Sequence, residues 1–102
     1  RSEKDEFKIY NAFNFPNPFN NRTQFSFEVT KDFDLRLDVY TLGGRRIKSI
    51  EKFNLPAGFN IVNWNGLDAF GQKVANGVYI YRIKVTNGDT TVSYIGRCAK
   101  YQ

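Results

Sequence analysis

The side chains that could perform catalysis are few in this sequence of 102 residues. It contains no histidine, a single cysteine (Cys98) and serines only at positions 2, 26, 49 and 93. General acid–base and nucleophilic catalysis both need a base with a pKa near neutral pH, most often histidine, and no serine has a partner that the sequence identifies. One cysteine permits no internal disulfide, and Cys98 is expected to be a buried, unreactive side chain. The sequence therefore predicts a domain that is not itself an enzyme.

Metal and cofactor sites are not predicted either. One cysteine without histidine cannot supply a tetrahedral zinc site. Two groups of oxygen side chains loosely resemble calcium ligands, one spanning residues 63–68 and the other formed by Asp32, Asp34 and Asp38. The first lacks a distal bidentate glutamate and the second lacks a glycine turn. In both places we expect turn residues that hydrogen-bond to their own backbone.

Positive charge is concentrated in the second half of the chain. The formal net charge is +5, and residues 52–102 carry six Lys and Arg against two Asp and Glu. No nucleic-acid motif accompanies this charge, so binding of nucleic acid is not predicted. The run Gly43-Gly44-Arg45-Arg46 lacks the helix amino terminus of a phosphate-binding loop and is interpreted as a tight hairpin. Arg45 and Arg46 form the densest exposed basic spot, and contact with a partner at this spot is an alternative interpretation.

The strongest structural pattern is alternation of apolar and polar residues, which predicts strands. Two prolines flank Asn17 in the run Pro16-Asn17-Pro18, which predicts a rigid corner ahead of the clearest strand. Turn-forming residues, mainly glycine, proline and asparagine, separate about seven predicted strands, at 8–15, 23–29, 35–42, 45–52, 59–65, 77–85 and 90–100.

This spacing predicts an all-β fold, an immunoglobulin-like antiparallel β-sandwich with an aromatic-rich core. A small closed barrel is the alternative. Residues 1–7 are expected to be a charged linker and 8–102 the sandwich. No apolar run approaches the length of a transmembrane segment and no signal peptide is present, while the start at Arg1 suggests a piece of a longer protein.

Edge strands are the expected contact points of an open sandwich, because they can accept a strand from a partner. The final strand, residues 90–101, is the candidate for such pairing. Gly77 and Tyr79 begin the strand before it, where we expect a close backbone approach at the glycine and a buried ring whose hydroxyl bonds to backbone.

Five motifs occur in an order that resembles a known family. They are Phe15-Pro16-Asn17-Pro18-Phe19-Asn20, Leu37-Asp38-Val39-Tyr40-Thr41-Leu42-Gly43-Gly44-Arg45, Leu55-Pro56-Ala57-Gly58, Trp64-Asn65-Gly66 with Asp68 and Gly71, and Asn76-Gly77-Val78-Tyr79. Together they resemble the C-terminal sorting domains of the type IX (Por) secretion system of Bacteroidetes and the related immunoglobulin-like domain of the flagellar hook-capping protein. The similarity covers about residues 12–86.

The resemblance implies a terminal sorting signal for protein transport. Such a signal directs a periplasmic protein across the outer membrane to the cell surface, and its partners are the outer-membrane translocon and the sortase. The family's cargo includes gingipain-type proteases, and the sortase itself carries such a domain, so the resemblance implies a parent of either kind. Carried onto this sequence, the recognition positions are Pro16, Asn17 and Pro18, then Gly77 and Tyr79, and Arg97 and Lys100 in the last strand.

The end of the chain departs from the family pattern. Family members typically finish with a lysine followed by aliphatic residues, whereas this sequence finishes Gly-Arg-Cys-Ala-Lys-Tyr-Gln. This difference favours a variant of the family in which the domain is not removed, such as a component of the secretion machinery itself. A structural or adhesive immunoglobulin-like module of a larger extracellular assembly is the alternative function.

Overall fold

A computed structural model describes residues 6–101 of the chain. Within this range it contains seven strands and no helix: β1 (Ile9–Phe15), β2 (Thr23–Val29), β3 (Phe33–Thr41), β4 (Arg46–Leu55), β5 (Gly58–Trp64), β6 (Gly77–Asn87) and β7 (Thr90–Lys100). All pairings between these strands are antiparallel. The predicted all-β class and strand number are confirmed, although several strands are a few residues longer than the alternation indicated.

The strands form two sheets with the orders β1-β2-β5 and β4-β3-β6-β7. No strand of one sheet pairs along its length with a strand of the other, so the fold is an open immunoglobulin-like sandwich. The alternative of a closed barrel is wrong. Each sheet keeps two edges, and those of the larger sheet are formed by β4 and β7.

Aromatic and β-branched side chains fill the space between the sheets. The alternating residues of β2, β3 and β6 face inward as predicted, and Phe25, Leu37 and Ile83 are fully buried. The rings of Phe25 and Tyr81 lie 4.7 Å apart between their centroids and join the two sheets. Contacts of this kind contribute beyond the area they bury.

Packing begins before the first strand. Phe7 is buried, and the Glu6 carbonyl accepts a hydrogen bond of 2.9 Å from the Thr30 hydroxyl. Glu6 and Phe7 fall within the expected charged linker of residues 1–7, yet they pack on the sandwich. The remainder of that linker, residues 1–5, lies outside the described residues.

The hairpin between β3 and β4 differs from the predicted two-glycine turn. Thr41 accepts a hydrogen bond from the Gly44 amide and donates its own amide to the Arg45 carbonyl, both at 2.9 Å. Gly44 alone has a positive φ, of 94°. The loop is therefore longer than two residues and needs glycine at one position, which delays β4 to Arg46.

Asp38 lies on the outer face of β3, because it alternates with the inward-facing Leu37 and Val39, but it is 1% exposed. Three guanidinium groups cover its carboxylate at nitrogen–oxygen distances of 3.2 to 3.9 Å, from Arg36, Arg82 and Arg46. Its side chain therefore neutralises basic residues of its own strand and of the two strands beside it, β4 and β6.

Four of the other oxygen side chains considered as calcium ligands bond to backbone amides. Asn65 accepts from Leu67 at 3.2 Å, and one Asp68 oxygen accepts from residues 70 and 72, which confirms the interpretation as turn residues. Asp32 and Asp34 instead accept from the backbone amides of Ala57 at 3.0 Å and Asn54 at 2.9 Å, which belong to the end of β4 and the loop after it rather than to their own turn. Our expectation of local bonding was wrong for this pair.

Candidate functional site

The Pro-Asn-Pro corner lies against the last strand. Both X-Pro peptide bonds of the corner, Phe15–Pro16 and Asn17–Pro18, are cis. Between them, the Asn17 side chain accepts the Ala99 amide hydrogen at 3.0 Å and donates to the Arg97 carbonyl at 3.1 Å. One side chain thus forms the pair of hydrogen bonds that a neighbouring strand would make to β7.

A buried polar network supports the corner from below. Asn14 donates to the Thr23 hydroxyl at 3.0 Å, and this hydroxyl donates to the Pro16 carbonyl at 2.8 Å. Asn17 in turn donates to the Asn14 side-chain oxygen at 3.0 Å. Sequence reasoning missed both supporting residues, Asn14 and Thr23. A signal for Thr23 was available, since it is a polar residue on the apolar face of β2.

Phe19 extends this contact beyond the corner. Its amide donates to the Ala99 carbonyl at 2.8 Å, and its carbonyl accepts from the Tyr101 amide at 2.9 Å. Its ring is buried and lies 5.5 Å from the Trp64 ring between centroids. The corner segment therefore covers the edge of β7 from Arg97 to Tyr101.

This covering corrects the expectation that the whole last strand offers a free edge. Backbone groups alternate in direction along an antiparallel strand. The backbone amide or carbonyl groups of Arg97, Ala99 and Tyr101 point away from β6 and bond to the corner segment. By alternation, the backbone groups of Thr91, Ser93 and Ile95 also point away from β6. Along β7, therefore, the earlier half is the part whose edge stays open to a partner among the described residues.

The Gly-x-Tyr motif lies beside the covered half of β7, where Gly77 pairs with Lys100 and Tyr79 with Cys98. The Tyr79 hydroxyl donates to the Ala75 carbonyl at 2.6 Å, which confirms the predicted bond to backbone. Burial of the ring raises the pKa of Tyr79.

The expected close approach at Gly77 is wrong, because a Cβ there would meet no atom within 4 Å. Its φ of 150° is what favours glycine.

The two basic positions of the last strand differ in access. Arg97 is exposed, whereas Lys100 is 4% exposed and is not presented to a partner. Cys98 lies between them in sequence and is buried as predicted, and burial raises the pKa of its thiol to about 12. This thiol is therefore protonated and unreactive near neutral pH. Gln102 lies outside the described residues.

Gly96 is a structural position that the sequence analysis did not identify. A Cβ at this position would lie 2.6 Å from Cζ of the Tyr81 ring, so the glycine makes room for a buried tyrosine of β6. The available signal was a glycine within an otherwise continuous strand, which often marks a close approach.

A second surface with unusual composition covers the outer side of the three-stranded sheet. Five large apolar side chains point outward there and are between 43% and 63% exposed: Tyr10, Phe13, Phe15, Phe59 and Ile61. The register brings them together, since Phe13 and Ile61 both lie opposite Ser26 of the central strand. We call this surface the aromatic face. The prediction of an aromatic-rich core does not anticipate this exposed surface.

Neither a cluster of metal-ligating side chains nor a membrane-spanning helix is evident in residues 6–101. No group of three or more Cys, Asp or Glu side chains there is arranged to hold a metal ion. The same residues form no helix that is long and apolar enough to cross a membrane.

Solved structures with the same fold include two Por proteins of Porphyromonas gingivalis. Dimeric latent PorU is 19% identical with a TM-score of 0.79 over 93% of this chain, which corresponds to 9% of PorU. PorZ is 21% identical with a TM-score of 0.61 over 90% of this chain and 12% of its own. The chain therefore spans about a tenth of the length of either protein.

Truncated FlgD from Helicobacter pylori has the same fold. It is 20% identical with a TM-score of 0.62, over 96% of this chain and 76% of its own. The comparison with curated proteins found no significant match. Residues 11–89 match the family described as the FlgD Ig-like domain, which is most of the chain and all strands except β7 and the start of β1. The chain belongs to the FlgD Ig-like domain family.

Proposed function

We propose that this chain is a sorting domain that directs an exported protein across the outer membrane by the type IX secretion system. The domain is a non-catalytic signal that a translocon holds, and its longer parent supplies any catalysis. The observation that carries the proposal is the convergence of the motif residues. Although they are dispersed between Pro16 and Lys100, the corner, the Gly-x-Tyr motif and the last strand meet at one end of the sandwich.

The neighbouring structures support the same assignment. PorZ is described as an essential bacterial surface component of the type-IX secretion system, and PorU aligns over almost the whole of this chain. We therefore place the domain on a protein exported through the periplasm. The exposed Arg97 and the open backbone edge beside Ile95 are the groups through which the translocon recognises it.

An export assay tests this proposal. The chain is fused to the C-terminus of a folded periplasmic reporter in a bacterium with a type IX system, and surface and periplasmic reporter are quantified. We expect the intact fusion at the surface and a fusion without residues 90–102 in the periplasm. Because that deletion removes β7, the folded variant Arg97→Glu is compared with Lys73→Glu, an exposed charge change elsewhere. Only Arg97→Glu should reduce surface reporter.

Retention of a folded intact fusion in the periplasm would contradict the proposal. Equal export with and without residues 90–102 would do the same.

A structural module within a larger extracellular assembly is the second candidate. Two observations favour it: the family match ends at residue 89, before β7, and the aromatic face is exposed. Contiguous apolar patches of this kind commonly mark contacts between proteins. Under this function Phe13→Ser and Ile61→Ser would abolish assembly of the parent without affecting export.

A further inference from the structure

The sandwich has an open flank where β4 faces β5. These are the outer strands of their respective sheets on this side, and they are consecutive in the chain. Two clefts of about 450 and 400 Å³ lie along the flank, and the side chain of Lys48 lines both. We call the two adjoining clefts the basic groove.

The charge of the groove is strongly positive. Its cationic side chains are Arg45, Arg46, Lys48 and Lys52. Asp68 is its one carboxylate among the described residues, and an oxygen of that carboxylate already accepts the amides of residues 70 and 72 at 2.9 and 3.0 Å.

Most of these cations lack a nearby counter-ion. Within residues 6–101 only Arg46 has a carboxylate oxygen within 4 Å, that of buried Asp38 at 3.9 Å. Arg45, Lys48 and Lys52 have none in the same range. Their charge is therefore available to a ligand.

The walls of the groove are suited to an extended backbone. The Ile47 carbonyl accepts the Ala69 amide at 2.9 Å, but from Lys48 onward β4 has no strand partner on this side within the described residues. Half-buried Ile50 and the buried ring of Trp64 form an apolar floor between the strands. An unpaired strand edge beside an apolar floor is the arrangement that accepts a peptide as an added strand.

We propose that the basic groove binds an extended acidic peptide, which pairs with the free edge of β4 and places carboxylates against Lys48 and Lys52. These lysines are on one face of the strand, about 13 Å apart at the rise of an extended chain. The ligand therefore carries acidic residues four positions apart. This activity goes beyond the proposed export role, because the groove lies on the edge of the sheet opposite β7.

Fluorescence anisotropy with the full chain tests the proposal. The probe is a short fluorescein-labelled peptide of alternating threonine and valine with two glutamates four residues apart, and the matched peptide has glutamines instead. We expect the double variant Lys48→Glu/Lys52→Glu to bind the glutamate peptide about tenfold or more weakly, which corresponds to about 1.4 kcal/mol or more. The glutamine peptide should bind the unaltered chain with a similar loss.

The matched control is Lys31→Glu/Lys84→Glu, which changes net charge equally but lies outside the groove. It should bind the glutamate peptide as the unaltered chain does, and thermal melts establish that both variants are folded. An equal loss in the control would overturn the proposal, because attraction would then be general rather than local. Equal binding of both peptides would also overturn it.

Dextran sulfate serves as a further probe. Binding of this polysaccharide with the same sensitivity to Lys48→Glu/Lys52→Glu, and without peptide binding, would assign the groove to a different class of ligand and overturn the proposal. The export assay and this assay fail independently, because they use different residues and different readouts.

Discussion

The two edges of the four-stranded sheet differ in whether other parts of the chain cover their backbone hydrogen-bonding groups. At β7 the Pro-Asn-Pro corner and Phe19 hydrogen-bond to the backbone of the final residues, in the place where a neighbouring strand would pair. At β4 a single bond, from Ala69 to Ile47, covers the beginning, and the rest is flanked by lysines. Unpaired edges invite association, and a protein either covers them or charges them. This sandwich does the first at one edge and the second at the other.

The difference indicates what the family motifs do. The recognition positions that the resemblance implies lie at or beside the covered edge, where Asn17 and Tyr79 form hydrogen bonds and Gly77 allows a backbone conformation that favours glycine. Their immediate role is to hold the last strand in place, and recognition then depends on the groups that this arrangement leaves exposed. Of the four cationic residues of the basic groove, only Arg45 belongs to a motif.

The largest effect on the covered edge should come from Phe19→Ala. Loss of a buried ring beside Trp64 should lower the free energy of unfolding by about 3–5 kcal/mol. The control is Phe59→Ala on the aromatic face, where the ring is 62% exposed and the expected change is within about 0.5 kcal/mol. Urea denaturation of both variants measures the contrast, and equal losses would show that the corner segment is not packed as described.

Gly96→Ala should have the next largest effect. The added methyl overlaps the buried Tyr81 ring, and overpacking of this kind costs about 1–3 kcal/mol. In a Tyr81→Leu background the same substitution should cost less, by about 0.5 kcal/mol or more, since the ring is absent. A double-mutant cycle by urea unfolding provides the measurement. Strict additivity would rule out the proposed contact.

Asn17→Ala should loosen the corner without unfolding the domain. It removes the bonds to the Ala99 amide and the Arg97 carbonyl, which should cost about 1–2 kcal/mol. Hydrogen exchange gives the sharper readout: the Ala99 amide should be protected in the unaltered chain and exchange faster in the variant. The Ile95 amide, on the open half of the same edge, should exchange rapidly in both. Asn76→Ala, an exposed asparagine, is the control, and similar exchange at Ala99 and Ile95 in the unaltered chain would contradict the covering.

The smallest effect concerns alkaline pH. Burial raises the pKa of Cys98 from its ordinary value of 9.0 to about 12, so the folded state favours the neutral thiol. The associated stability is fully present below about pH 9 and is lost as the pH rises toward 12. Cys98→Ala should therefore lose less unfolding free energy between about pH 8 and pH 10.5 than the unaltered chain does. Tyr81, whose pKa burial also raises, keeps some pH dependence in both proteins. Identical pH profiles would indicate that the thiol is accessible to solvent.

Sequence alone determined the number and approximate positions of the strands and the inward faces of several of them, because side chains alternate along a strand whatever lies around it. The runs around Phe25, Leu37 and Ile83 each identify their own buried face. It also located the corner, since proline restricts its neighbours locally. The tyrosine bond to backbone could be anticipated because a buried hydroxyl needs a partner.

Tertiary structure decided which residues meet and which edges stay open. Asn17 and Ala99 are far apart in the chain, and no local pattern reports that one satisfies the other. The burial of Asp38 and Lys100 likewise depends on neighbouring strands that alternation cannot identify. The basic groove exists because β4 and β5 end their sheets on the same side without pairing with each other, a property of how strands are shared between sheets. Strand formation follows from residues close in sequence, whereas covered and open edges follow from contacts that only the completed fold creates.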